Sequence, residues 1–400
     1  MKEWKTYKLS EIGQVIGGAT PSTKVASNYD GDIAWITPKD LSLLFGRYIY
    51  KGERSITETG YKSCSCQMLP AGSILFSSRA PIGYIAIAGN ELCTNQGFKS
   101  VIPNPEIVNS HFLYYLLSYE KNRIAEMGSG TTFMEISGNV MKNIEVKLPS
   151  LSIQNKISEI LTSLDSKIEL NRQINDNLEQ QAQALFKAWF VDFEPFKDGE
   201  FVDSELGMIP KGWTAGSLSD LADITMGQSP SSKSYNENGE GILFYQGRSE
   251  FGDRYPSIRL YTTEPSRIAE QNSVLLSVRA PVGDTNIAYN KCCIGRGLAA
   301  IRSKHGFDSF MYYLIKSLKD QFDMYNGEGT VFGSINRDSL TTMRVIVPAS
   351  DIISNFEKIV TSLDLKYKNL FAESLILTQQ RDSLLPKLMS GELKINEIDC

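Results

Sequence analysis

Arg79 and Arg279 stand in matching loops, Arg79-Ala80-Pro81-Ile82-Gly83 and Arg279-Ala280-Pro281-Val282-Gly283, each directly after a β-prone run. An arginine so placed can grip a phosphate or pair bidentately with guanine. Equally, the proline and glycine can be making a tight turn while the guanidinium satisfies nearby carbonyls. Asn95-Gln96-Gly97 and Gly295-Arg296-Gly297 share a frame position and differ in side chain. Asn and Gln favour adenine and Arg favours guanine, so this divergence suits a base reader, as it also suits surface drift. Gln246 and Arg248, beside Tyr245, are candidates of the same kind. Two Gly-Thr loops, with Thr131 and Thr132 in one and Thr330 in the other, offer N–H groups and hydroxyls to phosphate, or are structural turns.

Catalytic equipment is missing. There is no Walker A pattern and no Asn- or Asp-Pro-Pro-Tyr tetrapeptide of the kind that amino-methyltransferases use to grip a base. Gly17-Gly18 and Gly128-Ser129-Gly130 lack the spacing of a dinucleotide cradle. Glu145-Val146-Lys147 mimics the end of a nuclease carboxylate motif, but the nearest upstream aspartate is Asp40 and the second copy has Arg344 in place of the glutamate. Cys64, Cys66, Cys93, Cys292, Cys293 and Cys400 form no CxxC pair, so reduced thiols are expected rather than zinc or any other metal. His111 and His305 do not occupy matching positions, which excludes a duplicated histidine site. The chain reads as non-catalytic alone, with no cofactor of its own.

The elements that must position these residues come in two copies. Trp4, Leu9-Ser10-Glu11-Ile12 and Gly18-Ala19-Thr20-Pro21-Ser22 return as Trp213, Leu218-Ser219-Asp220-Leu221 and Gly227-Gln228-Ser229-Pro230-Ser231, 209 residues on. The arginine loops repeat at 200, Tyr114-Tyr115-Leu116 at 198 as Tyr312-Tyr313-Leu314, and Thr162-Ser163-Leu164-Asp165 at 199 as Thr361-Ser362-Leu363-Asp364. Such a nearly fixed offset is the signature of an internal repeat. Within each copy, runs at 73–76, 84–88, 273–277 and 286–289 read as strands, and the patches 110–126 and 307–325 read as helices. Interleaving too irregular for a doubly wound sheet makes each copy α+β, a mixed α/β domain of about 150 residues.

After Pro149 and Pro348 the period changes from two to three and a half. One seam reads Ile157, Leu164, Asn171, Leu178, Leu185, and the other Phe356, Leu363, Leu370, Leu377, Leu384, both in steps of seven. Ile153, Ile160 and Ile174, with Ile352 and Ile359, supply part of the other edge. These heptads are a coiled-coil pattern and predict two long helices, each about 60 Å long at 1.5 Å per residue. Asn171, the polar residue on the first seam, either fixes register or lies at a solvated margin. The resulting division is 1–149 and 213–348 for the globular domains, 150–195 for the first helix stopped by Pro195, 196–212 for a connector, 349–391 for the second helix and 392–400 for a tail.

A net charge of −5 argues against nucleic acid only until it is located. Residues 1–150 carry 15 basic and 13 acidic groups, and 213–349 carry 14 of each. The excess acid is in 151–212, with 6 basic and 11 acidic groups, and in 350–400, with 6 and 8. No run approaches the roughly 18 apolar residues of a membrane span, and the polar N-terminus lacks signal-peptide features, so a cytoplasmic location is expected.

As a set, the two globular copies, the Leu-Pro-Ser-Leu-Ser-Ile-Gln opening at 148–154, the Leu-Phe-Lys-Ala-Trp-Phe-Val-Asp-Phe close at 185–193 and the Leu-Pro-Lys-Leu-Met-Ser-Gly-Glu-Leu close at 385–393 resemble the specificity subunit of type I restriction-modification systems. The resemblance spans the whole chain, and the helix-end motifs are its most specific part. It implies two target recognition domains, each reading half of a split double-stranded DNA site, with the two helices pairing as an antiparallel coiled coil that sets the gap. It also implies two docked methyltransferase subunits that bind S-adenosylmethionine, and it leaves room for restriction and translocase subunits. The second helix opens Pro348-Ala349-Ser350-Asp351-Ile352 without a counterpart of Gln154, which puts any shared role for that glutamine in doubt. Two other readings stay open: a self-contained methyltransferase or nuclease with duplicated recognition parts, and a coiled-coil scaffold without DNA specificity.

Overall fold

The run Ile74–Phe76 is wholly buried and pairs antiparallel with Ile85–Ala88 on one side and Lys99–Pro103 on the other. Gly13–Gly17 and Tyr48–Ile49 complete a five-stranded sheet. In the second copy Val274–Ser277 lies between Thr285–Ile287 and Leu298–Ser303, with Ala222–Met226 outside. Register repeats along with sequence: Ile74 faces Val101, and Val274 faces Ile301. A parallel pair recurs too, Trp35 opposite Cys93 and Phe244 opposite Cys293.

The computed structural model describes residues 4–79, 81–129, 134–326 and 333–393. It divides into two compact units, Met1–Gln173 with Leu370–Cys400, and Ile174–Asn369. Each unit therefore holds one globular copy, the first half of the long helix that follows it and the second half of the other long helix. The fold is α+β in both.

Four helices matter for function. Helix α1 (Ser110–Glu126) starts where the Asn109 side chain accepts from the Phe112 amide. Helix α2 is Leu151–Phe190, α3 is Asp308–Ser317 and α4 is Ser350–Met389. The expected stop at Pro195 is not where α2 ends. Phe193 takes a left-handed conformation (φ 55°), which breaks the helical path first, and Pro195 falls in the short turn Glu194–Phe196. The patch expected over 307–325 is likewise two helices, because the chain breaks at Leu318 before Lys319–Asp323. The 196–212 connector carries a hairpin, Phe201–Ser204 against Gly207–Pro210, turned by Gly207 at φ 93°.

Of the expected helix seam, Ile157, Asn171, Leu178 and Phe356 are buried, while Leu164, Leu185, Leu363, Leu370, Leu377 and Leu384 are half-buried. The second edge is displaced by one residue from the expected one. Gln154, Leu161, Asn175 and Ala182 are buried on α2, and Ile353, Val360, Tyr367 and Leu388 on α4, whereas Ile359 is 46% exposed. An apolar pattern misplaces this edge because it skips the polar residues that the edge carries. Gln154 is the example: its amide donates to the carbonyls of Ile107 and Pro149, both at 3.0 Å, and its oxygen accepts from the Asn109 amide at 3.0 Å. In the first unit Asp165 meets Arg381 and Asn171 meets Glu373 and Ser374, so α2 and α4 run antiparallel there. In the second, Phe190 stacks on Phe356 while Glu179 and Asp364 share Arg254, again antiparallel.

Each globular copy packs its helix between sheet and rod. Phe112, Leu113, Leu116 and Leu117 of α1 share a core with Ile74, Phe76 and Val101 of the sheet and with Ile157, Leu161, Leu388 and Met389 of the long helices. In the second unit Phe310 of α3 stacks on Phe186, Phe190 and Phe356, and Phe190 extends the cluster to Trp213. Removing this much apolar surface from water is the main force holding each globular copy against the long-helix segments of its own unit.

Candidate nucleic-acid interface

Strand Ile74–Phe76 runs into Ser77 and Ser78, both fully buried, and these two residues build the arginine loop. Ser77 closes it. Its hydroxyl donates to the Pro81 carbonyl and accepts from the Tyr84 amide, both at 2.8 Å, and its own carbonyl accepts from Gly83 at 3.0 Å. Ser78 then stitches it to its neighbours, its amide donating to the Gly97 carbonyl at 2.7 Å and its carbonyl accepting from the Ile136 amide at 2.9 Å. The second copy repeats the stitching with Val278 to Gly297 at 2.9 Å and Ile335 to Val278 at 3.0 Å. Backbone groups buried at a loop base must be paired, and here the pairing fixes which loops lie side by side.

A third loop joins them through a glycine. A Cβ on Gly18 would lie 2.0 Å from the Asn95 carbonyl oxygen, and one on Gly227 would lie 2.1 Å from that of Gly295, so no other residue fits either place. Ala19 donates to Thr94 at 3.0 Å and Gln228 to Ile294 at 3.0 Å. The Thr20 hydroxyl thereby reaches the Gln96 side chain, and the Ser229 hydroxyl accepts from the Arg296 amide at 3.3 Å. In the second copy Gly295 also donates to Tyr245 at 2.8 Å, which brings Gln246 alongside.

The described candidates from sequence thus gather at one loop cluster per copy, in different states. Gln96, Arg296, Gln246 and Arg279 are exposed. Arg79 is exposed but paired, with its Nε 3.0 Å from Glu135, and Lys99 reaches the same carboxylate at 3.4 Å. Arg248 is tied to Asp284. Asn95 is half-buried, and its side-chain oxygen accepts from the Gly97 amide at 2.8 Å, a turn-forming role. Thr131, Thr132 and Thr330 lie outside the described residues. Sequence reasoning missed Glu135, Lys99, Thr20 and Ser229. The last two sit in the matched Gly18 and Gly227 motifs and could have been found there.

Behind these loops a set of buried charges holds each copy to the helices. In the first unit Arg47, buried, donates to Ser166 at 2.8 Å and pairs with Glu169 at 3.1 Å. In the second, Arg254, 2% exposed, pairs with Glu179 at 3.0 Å and Asp364 at 2.6 Å between the rings of Tyr312 and Tyr367. Burial alone would lower the Arg254 value, but the facing carboxylates, Asp364 foremost, outweigh it and keep the guanidinium charged. Burial likewise pushes the Cys292 thiol up to about 12, leaving it unreactive. Among the described residues no group of His, Cys, Asp and Glu could hold a metal ion. No described helix is long and apolar enough to cross a membrane.

Comparison with known proteins gives a consistent result. Residues 1–180 and 210–369 match the family described as Type I restriction modification DNA specificity domain. The chain is 36% identical to the type I restriction enzyme MjaIX specificity subunit of Methanocaldococcus jannaschii, over 99% of this chain and 95% of that one. It is 26% identical to the HindI specificity subunit of Haemophilus influenzae, over 98% and 100%. Among solved structures, the S subunit of a type I restriction-modification system from M. genitalium matches with a TM-score of 0.59 at 18% identity, over 96% of each chain, a likeness of fold.

Proposed function

The chain belongs to the type I restriction modification DNA specificity family, and on that premise we propose that each unit reads one half of a bipartite, asymmetric DNA site while the paired helices set the gap and dock two methyltransferase subunits. One observation carries the reading. The two loop clusters share their stitching, Ser78 to Gly97 and Val278 to Gly297, yet present Gln96 in one and Arg296 in the other. A shared scaffold with different side chains suits two readers of unlike half-sites, adenine favouring Gln and guanine favouring Arg. Two similar readers joined by a rod would meet half-sites about one helical turn apart, roughly 34 Å.

Base modification itself is assigned to the partners. Each methyltransferase subunit would bind S-adenosylmethionine and flip its adenine into a pocket of its own. Mapping methylated bases in cells that carry the chain with its modification partner tests the proposal. A split, asymmetric motif is expected; an uninterrupted palindrome, or methyl transfer by the purified chain alone, would overturn it.

A further inference from the structure

The two arginine loops occupy one frame position and differ in what holds the arginine. Arg79 and Glu135 are bridged across their backbones, as are Arg279 and Ser334. The carboxylate of the first copy is thus a hydroxyl in the second, and Lys99, one strand away, is matched by Ala299. Among the described residues Arg279 has no ion pair. Formal charge does not separate the two places: Arg79, Lys99 and Glu135 sum to +1, and Arg279 alone is +1. What differs, among the described residues, is the ion pair. Glu135 takes the Nε edge of Arg79 at 3.0 Å and is itself steadied by Lys99 at 3.4 Å, while the Arg79 side chain as a whole stays 46% exposed. Partial burial would raise the Glu135 carboxyl, but Arg79 and Lys99 outweigh it and hold it below the usual carboxylate range.

A guanidinium with its Nε edge fixed keeps its two Nη groups for a planar, bidentate partner, and the rotamer freedom it would lose on binding is already lost. A free arginine meets any phosphate equally well but discriminates poorly. We propose that Arg79 is a base reader for guanine, aimed by Glu135 as its positioning residue, and that Arg279 is a phosphate anchor. This inference rests on the half-site reading above.

The test uses the full chain reconstituted with its modification partners and duplexes in which each position of the methylated motif is varied in turn. Arg79→Ala should erase the preference for guanine at one position of one half-site, by about 10-fold or more, and leave other positions intact. Glu135→Gln should weaken that same preference, and Glu135→Asp should restore part of it. Arg279→Ala should weaken binding to all duplexes alike and lower the slope of log affinity against log salt by about 1. Uniform weakening by Arg79→Ala, an unaltered preference in Glu135→Gln, or loss of one base preference in Arg279→Ala would overturn the inference. A wild-type complex with no preference at any position would instead overturn the half-site reading itself, and this assignment with it.

Discussion

Tyr115 donates its phenolic hydrogen to Asp165 across 2.5 Å, joining helix α1 of the first globular copy to helix α2. Asp165 is buried and receives a second donor, Arg381 of α4, at 2.8 Å. The repeat keeps the pair and changes its surroundings. Tyr313 lies 3.4 Å from both Asp364 and Glu179, and the cation on Asp364 is Arg254 from the globular copy itself. Each unit thus clamps its recognition copy through a tyrosine and an aspartate that recur at a fixed frame position.

Phenylalanine in place of Tyr115 keeps the ring and removes the donor, leaving a buried carboxylate short of one hydrogen bond. Tyr115→Phe should cost about 1–3 kcal/mol, since the charged acceptor has lost its solvation without full replacement. Tyr313→Phe should cost under about 1 kcal/mol, because its contacts are long and Asp364 keeps Arg254. Urea unfolding of the two variants side by side checks the order; equal losses would mean that the 2.5 Å contact contributes no more than the 3.4 Å ones.

Glu357 of α4 accepts from the Ser309 and Phe310 amides at 3.0 and 2.9 Å at the start of α3. Burial raises its value above the ordinary one, the neighbouring Asp308 adds to this, and the two amides oppose it. Burial raises Asp308 as well. A carboxyl raised by folding takes up protons that the unfolded chain releases, so its contribution is fully present below the ordinary carboxylate range and is lost as pH rises through the raised value. Glutamine cannot titrate. The stability of the wild type relative to Glu357→Gln should therefore improve as pH falls from about 7 toward 4. Unfolding midpoints across that range decide it, and a difference that moves the other way contradicts the raised value.

The architecture could be read from the residues because a duplication writes most of its elements twice. The matched Tyr114-Tyr115-Leu116 and Thr162-Ser163-Leu164-Asp165 segments are visible as text, and the structure shows that they meet. Helix α1 falls on its expected span because Asn109 caps a continuous run. The less legible parts depend on non-local partners. Nothing near Arg254 in sequence announces Glu179 or Asp364, and Glu135 becomes relevant only when a β-bridge sets it against Arg79. The shifted helix edge has the same origin: burying Gln154 is tolerable only because distant backbone groups satisfy it.

Asn171 is where the two expectations for the helix seam separate. It is fully buried rather than marginal, and its amide nitrogen donates to Glu373 at 2.7 Å and to Ser374 at 3.3 Å. Its oxygen, however, is buried without a partner among the described residues. An unpaired buried carbonyl costs about 1–3 kcal/mol, and a leucine would remove that cost while adding apolar burial. Glu373 is 43% exposed and also paired with Lys167 at 3.5 Å, so losing Asn171 would not strand it. Asn171→Leu should accordingly raise stability by about 1 kcal/mol, as replacing a lone polar seam residue does when its role is register rather than strength. Asn171→Asp should lower it by setting a second carboxylate against Glu373. Unfolding midpoints of both variants test this, and a leucine variant less stable than the wild type would show that the bond to Glu373 outweighs the orphaned oxygen.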